Sequence, residues 1–170
     1  RGRNSYEHHF LHSGEQLASM GIDVVEVDRG GDVTYHGPGQ LVAYPILNLE
    51  QWKPSVSWYL RELEQVLIDL LASMGLTGER LEKHTGVWVN GAKVAAVGVG
   101  IHRWVSYHGI SLNVAPNMRH WSLIVPCGIP DKPVTSLDRL LDAPPNLSEV
   151  MNRFEAQFRS RFGASRHALT

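Results

Sequence analysis

The sequence has little that crosslinks or membrane insertion would require. Its 170 residues include a single cysteine, Cys127, which excludes an internal disulfide, a zinc ribbon and a CxxC redox pair. The longest apolar run, residues 94–101, is too short to span a bilayer and two glycines interrupt it. We therefore expect a cytoplasmic domain with no membrane partner, in which the one thiol serves either packing or chemistry.

An excess of charge of either sign is also missing. The chain has 16 Lys and Arg against 17 Asp and Glu, a formal net charge of −1, and a nucleic-acid partner is therefore not expected. Hydrophobic residues make up 43% and charged residues 19%, which suffices for a folded core. With no internal repeat or linker, residues 1–170 are expected to form one domain.

Apolar periodicity predicts two main helices. Apolar residues recur every three or four positions from Pro54 to Gly75, and again after the capping residue Asn146 up to Phe162. A shorter helix is predicted at residues 134–141.

The remaining apolar segments predict strands. They are residues 22–27, 41–49, 86–89, 92–101 and 105–114. Asn90-Gly91 is typical of a type I′ turn and joins two of these strands in a hairpin. The pattern as a whole predicts an α+β fold, with a mixed or antiparallel sheet flanked by helices.

Cys127 is the first candidate for chemistry. Pro126 and Gly128 on either side would end a strand and leave a bare backbone that a carbonyl substrate can approach. An unperturbed thiol is only about 3% thiolate at pH 7, so a catalytic Cys127 needs a nearby cation or base. Lys93 and a histidine, His36 or His108, are the candidates. Packing of a buried thiol, a solvated lysine at a strand end and a core histidine are the structural alternatives.

The segment from Arg29 to Gln40 concentrates four glycines with polar side chains. It matches neither GxGxxG nor GxxxxGK[ST], which excludes the two standard nucleotide-binding loops. Glycines also let a backbone lie along an extended ligand, while Arg29, Thr34, His36 and Gln40 supply hydrogen bonds. The alternative is a long structural turn between two strands.

These motifs together resemble the lipoyl(octanoyl) transferases, the octanoyl-[acyl-carrier-protein]:protein N-octanoyltransferases of lipoate biosynthesis. The resemblance covers residues 29–137 and rests on RGGDVTYHGPGQLVAY (29–44), GVWV (86–89), KVAAVG (93–98), YHGISLN (107–113) and PCGI (126–129), in the family's order. Members of the family carry an upstream segment that ends in a T-x-G-R-like motif. Residues 1–3 resemble the end of this motif, so we expect that an N-terminal segment precedes the chain.

The resemblance implies the fold shared by the catalytic domains of biotin and lipoate protein ligases. It also implies transfer of an octanoyl group from acyl carrier protein to a lysine of a lipoyl-domain protein, such as a 2-oxoacid dehydrogenase subunit or the glycine cleavage H protein. No metal or cofactor is implied, because the donor is carried on the phosphopantetheine of acyl carrier protein.

The resemblance assigns roles to individual residues. Cys127 matches the nucleophile that forms the acyl thioester, and Lys93 matches the lysine that lowers the pKa of this cysteine. His108 and Gln40 are candidate supporting residues. The implied substrate-binding residues are Arg29, Gly30, Gly31, Asp32, Val33, Thr34, Tyr35, His36, Ala96, Val97, Gly98, Gly109, Ile110 and Ser111.

Three alternative functions remain open from the sequence. An ATP-dependent lipoate or biotin ligase would use Lys93 but needs no cysteine, so Cys127 and the run of residues 34–36 favour the transferase. A cysteine hydrolase would use Cys127 with His108 and pass the acyl group to water. A non-catalytic module that docks acyl carrier or lipoyl domains would need neither.

Overall fold

The computed structural model describes residues 1–2, 9–82, 84–125 and 132–163. Its four strands form one antiparallel sheet in the order β1-β4-β3-β2. The strands are β1 (Gln40–Ala43), β2 (Val87–Val89), β3 (Ala92–His102) and β4 (Val105–Asn113). Together with the helices, this sheet confirms the predicted α+β class.

The hairpin between β2 and β3 forms where the sequence predicts it. Asn90 and Gly91 have φ angles of 51° and 77°, as a type I′ turn requires. β3 then pairs with β4 along its length, from Ala95 opposite Leu112 to His102 opposite Val105. These long strands form the centre of the sheet.

The helices are α1 (Gly14–Ser19), α2 (Val56–Ala72), α3 (Leu137–Leu140) and α4 (Leu147–Phe162). The two predicted amphipathic helices are confirmed as α2 and α4. α2 begins two residues after Pro54, because Ser55 is the N-cap and its Oγ accepts a hydrogen bond from the Trp58 amide. None of the helices within the described ranges is long and apolar enough to cross a membrane.

Two strand predictions need correction. Residues 22–27 form no strand: Val24 and Val25 are 44% and 61% exposed, so the apolar positions pack against no sheet. The strand predicted at residues 41–49 ends at Ala43. Beyond Ala43, the side chain of Ser106 replaces a strand partner for two backbone groups. Its Oγ donates a hydrogen bond to the Pro45 carbonyl (2.9 Å) and accepts one from the Leu47 amide (3.0 Å).

The main core lies between the sheet and the helices α2 and α4. Its fully buried members include Tyr59, Leu63, Leu67, Leu70, Val94, Leu112 and Val150. A second, smaller cluster of Val33, Trp121 and Ile124 lies beneath the glycine-rich loop, residues 29–39. The cluster packs the loop against the segment that contains Trp121 and Ile124.

Candidate active site

Lys93 is buried near the start of β3. The residue is 6% exposed, and its Nζ lies 4.9 Å from the centroid of the Trp88 ring. Its amide donates to the Pro133 carbonyl (2.8 Å), and its carbonyl accepts from the Thr135 amide (2.9 Å). The alternative of a solvated strand end is therefore wrong for Lys93. The same two hydrogen bonds hold Pro133 and Thr135 beside this lysine.

A turn supported by a buried carboxylate packs against the Lys93 stem. Gly86 has a φ of +137°, and a Cβ on it would lie 2.7 Å from Lys93 Cε. Its amide donates to Glu64 Oε1 (2.9 Å). Glu64 is only 1% exposed and also accepts from Arg61 Nη1 (2.7 Å) and Arg80 Nε (3.1 Å), which compensate its burial.

The glycine-rich loop is stabilised internally by Arg29 and is bonded to β3 through the Gly30 amide. Arg29 is 9% exposed and donates to the carbonyls of Gly30 (3.0 Å) and Asp32 (2.8 Å). The Gly30 amide donates to the Val99 carbonyl (2.9 Å). A Cβ at Gly98 would lie 3.2 Å from the Gly30 oxygen, so the approach of loop and strand requires a small residue there.

A cavity of about 320 Å³ lies between this loop, β3, β4 and the start of α2. It brings together residues from all three predicted substrate-binding stretches. The predicted residues that line it are Arg29, Gly30, Gly31, Asp32, Thr34, His36, Lys93, Ala96, Val97, Gly98, His108, Gly109, Ile110 and Ser111.

Six further lining residues are not among the predicted site residues: Tyr44, Val56, Leu60, His84, Thr85 and Val99. Val56 and Leu60 do belong to the apolar stripe that predicted α2. Periodicity cannot distinguish a side chain that faces a cavity from one that faces the core.

Three predicted substrate-binding or supporting residues lie beside this cavity rather than in its wall. Val33 is buried in the smaller cluster, and the Tyr35 hydroxyl lies 2.8 Å from His120 Nδ1. Gln40 is buried among hydrogen-bonding partners. Cys127 lies outside the described residues, so its role stays a prediction.

Two of the three histidines that line the cavity, His36 and His108, favour their neutral form. Burial is the largest cause that lowers the pKa of His36 and of His108, and the positive charge of Arg29 lowers both further. The hydrogen bond to Gln40 partly opposes this shift in His36, and the charge of Asp28 partly opposes it in His108. His108 has a φ of 56°, and the centroid of its ring lies 5.4 Å from that of Tyr44. Within the described ranges, no group of three or more His, Cys, Asp or Glu side chains could hold a metal ion.

Comparison with solved structures shows the fold. Lipoate-protein ligase A bound with ATP superposes with a TM-score of 0.72 at 13% identity, over 95% of this chain and 67% of the ligase. The biotin protein ligase from Aquifex aeolicus gives a TM-score of 0.58 at 15% identity, over 90% of this chain and 65% of that protein. The expected likeness to the catalytic domains of biotin and lipoate ligases is confirmed.

Sequence comparison gives the family. The octanoyltransferase of Thermosynechococcus vestitus is 52% identical over 145 residues, which cover 85% of this chain and 64% of that enzyme. The octanoyltransferase of Solibacter usitatus is 48% identical over 157 residues, which cover 92% of this chain and 70% of that enzyme. The octanoyltransferase of Nostoc punctiforme is 57% identical over 115 residues, which cover 68% of this chain and 50% of that enzyme. The chain thus spans half to about 70% of these relatives. The sequence-family model of the lipoyl protein ligase A/B catalytic domain matches residues 1–159. The chain therefore belongs to this family, among its octanoyltransferases.

Proposed function

We propose that this chain carries the catalytic centre of an octanoyltransferase. It takes an octanoyl group from the phosphopantetheine thioester of acyl carrier protein, holds it as a thioester on Cys127, and passes it to a lysine of a lipoyl-domain protein. The observation that carries the proposal is the cavity in which the glycine-rich loop, the middle of β3 and the middle of β4 converge beside the buried Lys93.

The surroundings of Lys93 suit the stabilisation of a thiolate. An ammonium group close to a cysteine lowers the thiol pKa, because it favours the charged form. Exchange of one thioester for another is close to even in free energy, and conversion of a thioester to an amide is downhill. The transfer therefore needs no ATP.

The apolar part of the cavity suits a medium-length acyl chain. Val97 and Ile110 face each other across β3 and β4, and Leu60 of α2 also lines the cavity. Burial of the six methylenes of an octanoyl chain is worth at most about 5 kcal/mol, which is enough to discriminate between chain lengths.

The test is a mass measurement on the acylated protein. The intact protein is incubated with octanoyl-acyl carrier protein without ATP, weighed, and weighed again after treatment with hydroxylamine, which cleaves thioesters. We expect the mass of one octanoyl group at Cys127, removed by hydroxylamine and absent from Cys127→Ser.

Two results would contradict the proposal. One is a correctly folded protein that gains no labile octanoyl group. The other is ATP-dependent pyrophosphate exchange in the presence of the free acid, which would identify an acid-activating ligase instead.

A further inference from the structure

The pairing of β2 with β3 brings Trp88 and Lys93 side by side. The two residues are directly opposite each other in the antiparallel register, so their side chains project from the same face of the sheet. The Trp88 backbone bonds on its outer side to Glu79, with N···O distances of 2.9 and 2.8 Å, and the Lys93 backbone bonds on the other side to Pro133 and Thr135. Opposite residues whose backbones bond away from each other are those whose side chains approach most closely.

The indole ring of Trp88 meets the Lys93 ammonium nitrogen. Nζ lies 4.9 Å from the ring centroid, and an aromatic face attracts a cation at distances up to about 6 Å. Gly86 packs against both side chains, since a Cβ on it would lie 2.7 Å from Lys93 Cε and 3.3 Å from Trp88 Cη2. Trp88 is fully buried and Lys93 nearly so, which places the contact among the stronger, desolvated cases.

The two residues stand in different relations to the cavity. Lys93 lines it, and Trp88 is not among the lining residues in the described part of the chain. An effect of Trp88 on a substrate in the cavity therefore passes through Lys93. A ring face attracts an ammonium ion electrostatically and a neutral amine much less, so the contact favours the charged lysine.

We propose that Trp88 is a positioning residue, whose indole face holds the ammonium group of Lys93 in the wall of the cavity. The contact itself is independent of the reaction. Its consequence rests on the proposed octanoyl transfer, in which the charge held at this place stabilises the Cys127 thiolate that accepts the acyl group. A weaker ring face should therefore reduce the reactivity of the thiol while the shape of the site stays the same.

The first test changes the electronics of the ring and needs no activity. Tryptophan analogues with one, two and three fluorine atoms on the six-membered ring are introduced at position 88 alone, by suppression of a stop codon. Each fluorine withdraws electron density from the ring face and changes its shape little. We expect the equilibrium constant for unfolding in urea to rise stepwise, by about tenfold in all for three fluorines, as most of a desolvated cation–π contact is lost.

Lys93→Met is the matched background for this series, because methionine fills similar space without a charge. Fluorination in Lys93→Met should give no stepwise rise, since only packing effects remain. A second measurement on the unmodified protein uses the NMR signals of the Lys93 ε-methylene, which the ring should shift upfield of those of the exposed Lys53, and Trp88→Leu should remove this shift. The same fluorine trend in both backgrounds, no trend in either, or no upfield shift would overturn the inference.

The second test follows formation of the octanoyl-enzyme as a function of pH. Three fluorines at position 88 should slow this step several-fold near pH 7, and the difference should shrink above pH ~8.5, where an unperturbed thiol ionises without help. A purely structural defect would slow the step equally at every pH.

Two other titratable groups lie near the same turn. The His84 ring centroid is 6.4 Å from that of Trp88, and Glu64 accepts from the Gly86 amide. The pH series is therefore repeated in His84→Gln, where the effect of fluorine should persist. Rates that do not respond to fluorine at any pH would overturn the inference. Failure of the unmodified protein to form an octanoyl-enzyme would instead count against the proposed function, and the unfolding series would still decide the contact.

Discussion

Replacement of Gly86 by alanine tests the packing around Lys93. The residue has a φ of +137°, which L side chains rarely adopt, and this strain costs about 1–3 kcal/mol. The new methyl would also lie 2.7 Å from Lys93 Cε and 2.7 Å from the Ala95 carbonyl oxygen. Overpacking of this kind costs a further 1–3 kcal/mol or so. We expect a total loss of about 2–6 kcal/mol from a stability that is typically about 5–15 kcal/mol.

Gly91 is the matched control in the same hairpin. Its φ is also positive, at +77°, but no atom lies within 4 Å of the position that a Cβ would occupy. Gly91→Ala should therefore lower the free energy of unfolding only by the cost of a left-handed backbone at an alanine, about 1–2 kcal/mol. Both variants and the parent protein would be unfolded in urea and followed by tryptophan fluorescence, with the free energies compared at equal m-values.

The functional readout should separate the two variants as well. A methyl group at position 86 must displace the Lys93 stem, so Gly86→Ala should reduce octanoyl transfer under conditions in which it is folded. Gly91→Ala should retain transfer. If Gly86→Ala loses no more stability than Gly91→Ala, the described contact between the turn and Lys93 is wrong.

Three further predictions concern charged and titrating groups. Glu64→Ala should lower the free energy of unfolding in urea by about 3 kcal/mol, because it leaves the Gly86 amide and two arginines without their buried acceptor. Glu62→Ala removes a more accessible ion pair and should lower it by at most about 1 kcal/mol. Equal losses in the two variants would contradict this prediction. Lys93→Ala should raise the pH at which iodoacetamide alkylates Cys127, and an unchanged profile would remove the lysine from the surroundings of the thiol. The pKa of His36 is lowered in the folded protein, so the unfolded chain binds the proton more readily. The free energy of unfolding should therefore rise from pH 5.5 to 7.5, and less steeply in His36→Gln. An identical slope in both proteins would contradict the lowered pKa of this ring.

Local patterns in the sequence were sufficient for the helices and the hairpin. The stripe that defines α2 has a period that only a helix can bury on one side, and Asn90-Gly91 supplies positive φ angles without help from distant residues. The grouping of the glycine-rich loop with the middle of β3 and β4 came from the family resemblance, and the cavity brings these stretches together.

Predictions failed where distant partners decide the outcome. Residues 22–27 alternate like a strand, but in the described part of the molecule no sheet lies against them. Glu64 occupies a helix whose periodicity is clear, yet its burial depends on Arg80 and Gly86, 16 and 22 residues later. Burial of a charge requires partners whose positions only the folded chain sets.

The sequence by itself determined the fold class, the main helices, the hairpin and the residues that resemble the octanoyltransferases. Only the tertiary structure decided that Lys93 is buried and that Gln40 meets Asn113, 73 residues away in the chain. Periodicity reports the face on which a side chain lies, because it arises from backbone geometry. A hydrogen-bond network depends on distances of a few ångströms between remote segments, and these are set when the sheet and helices pack together.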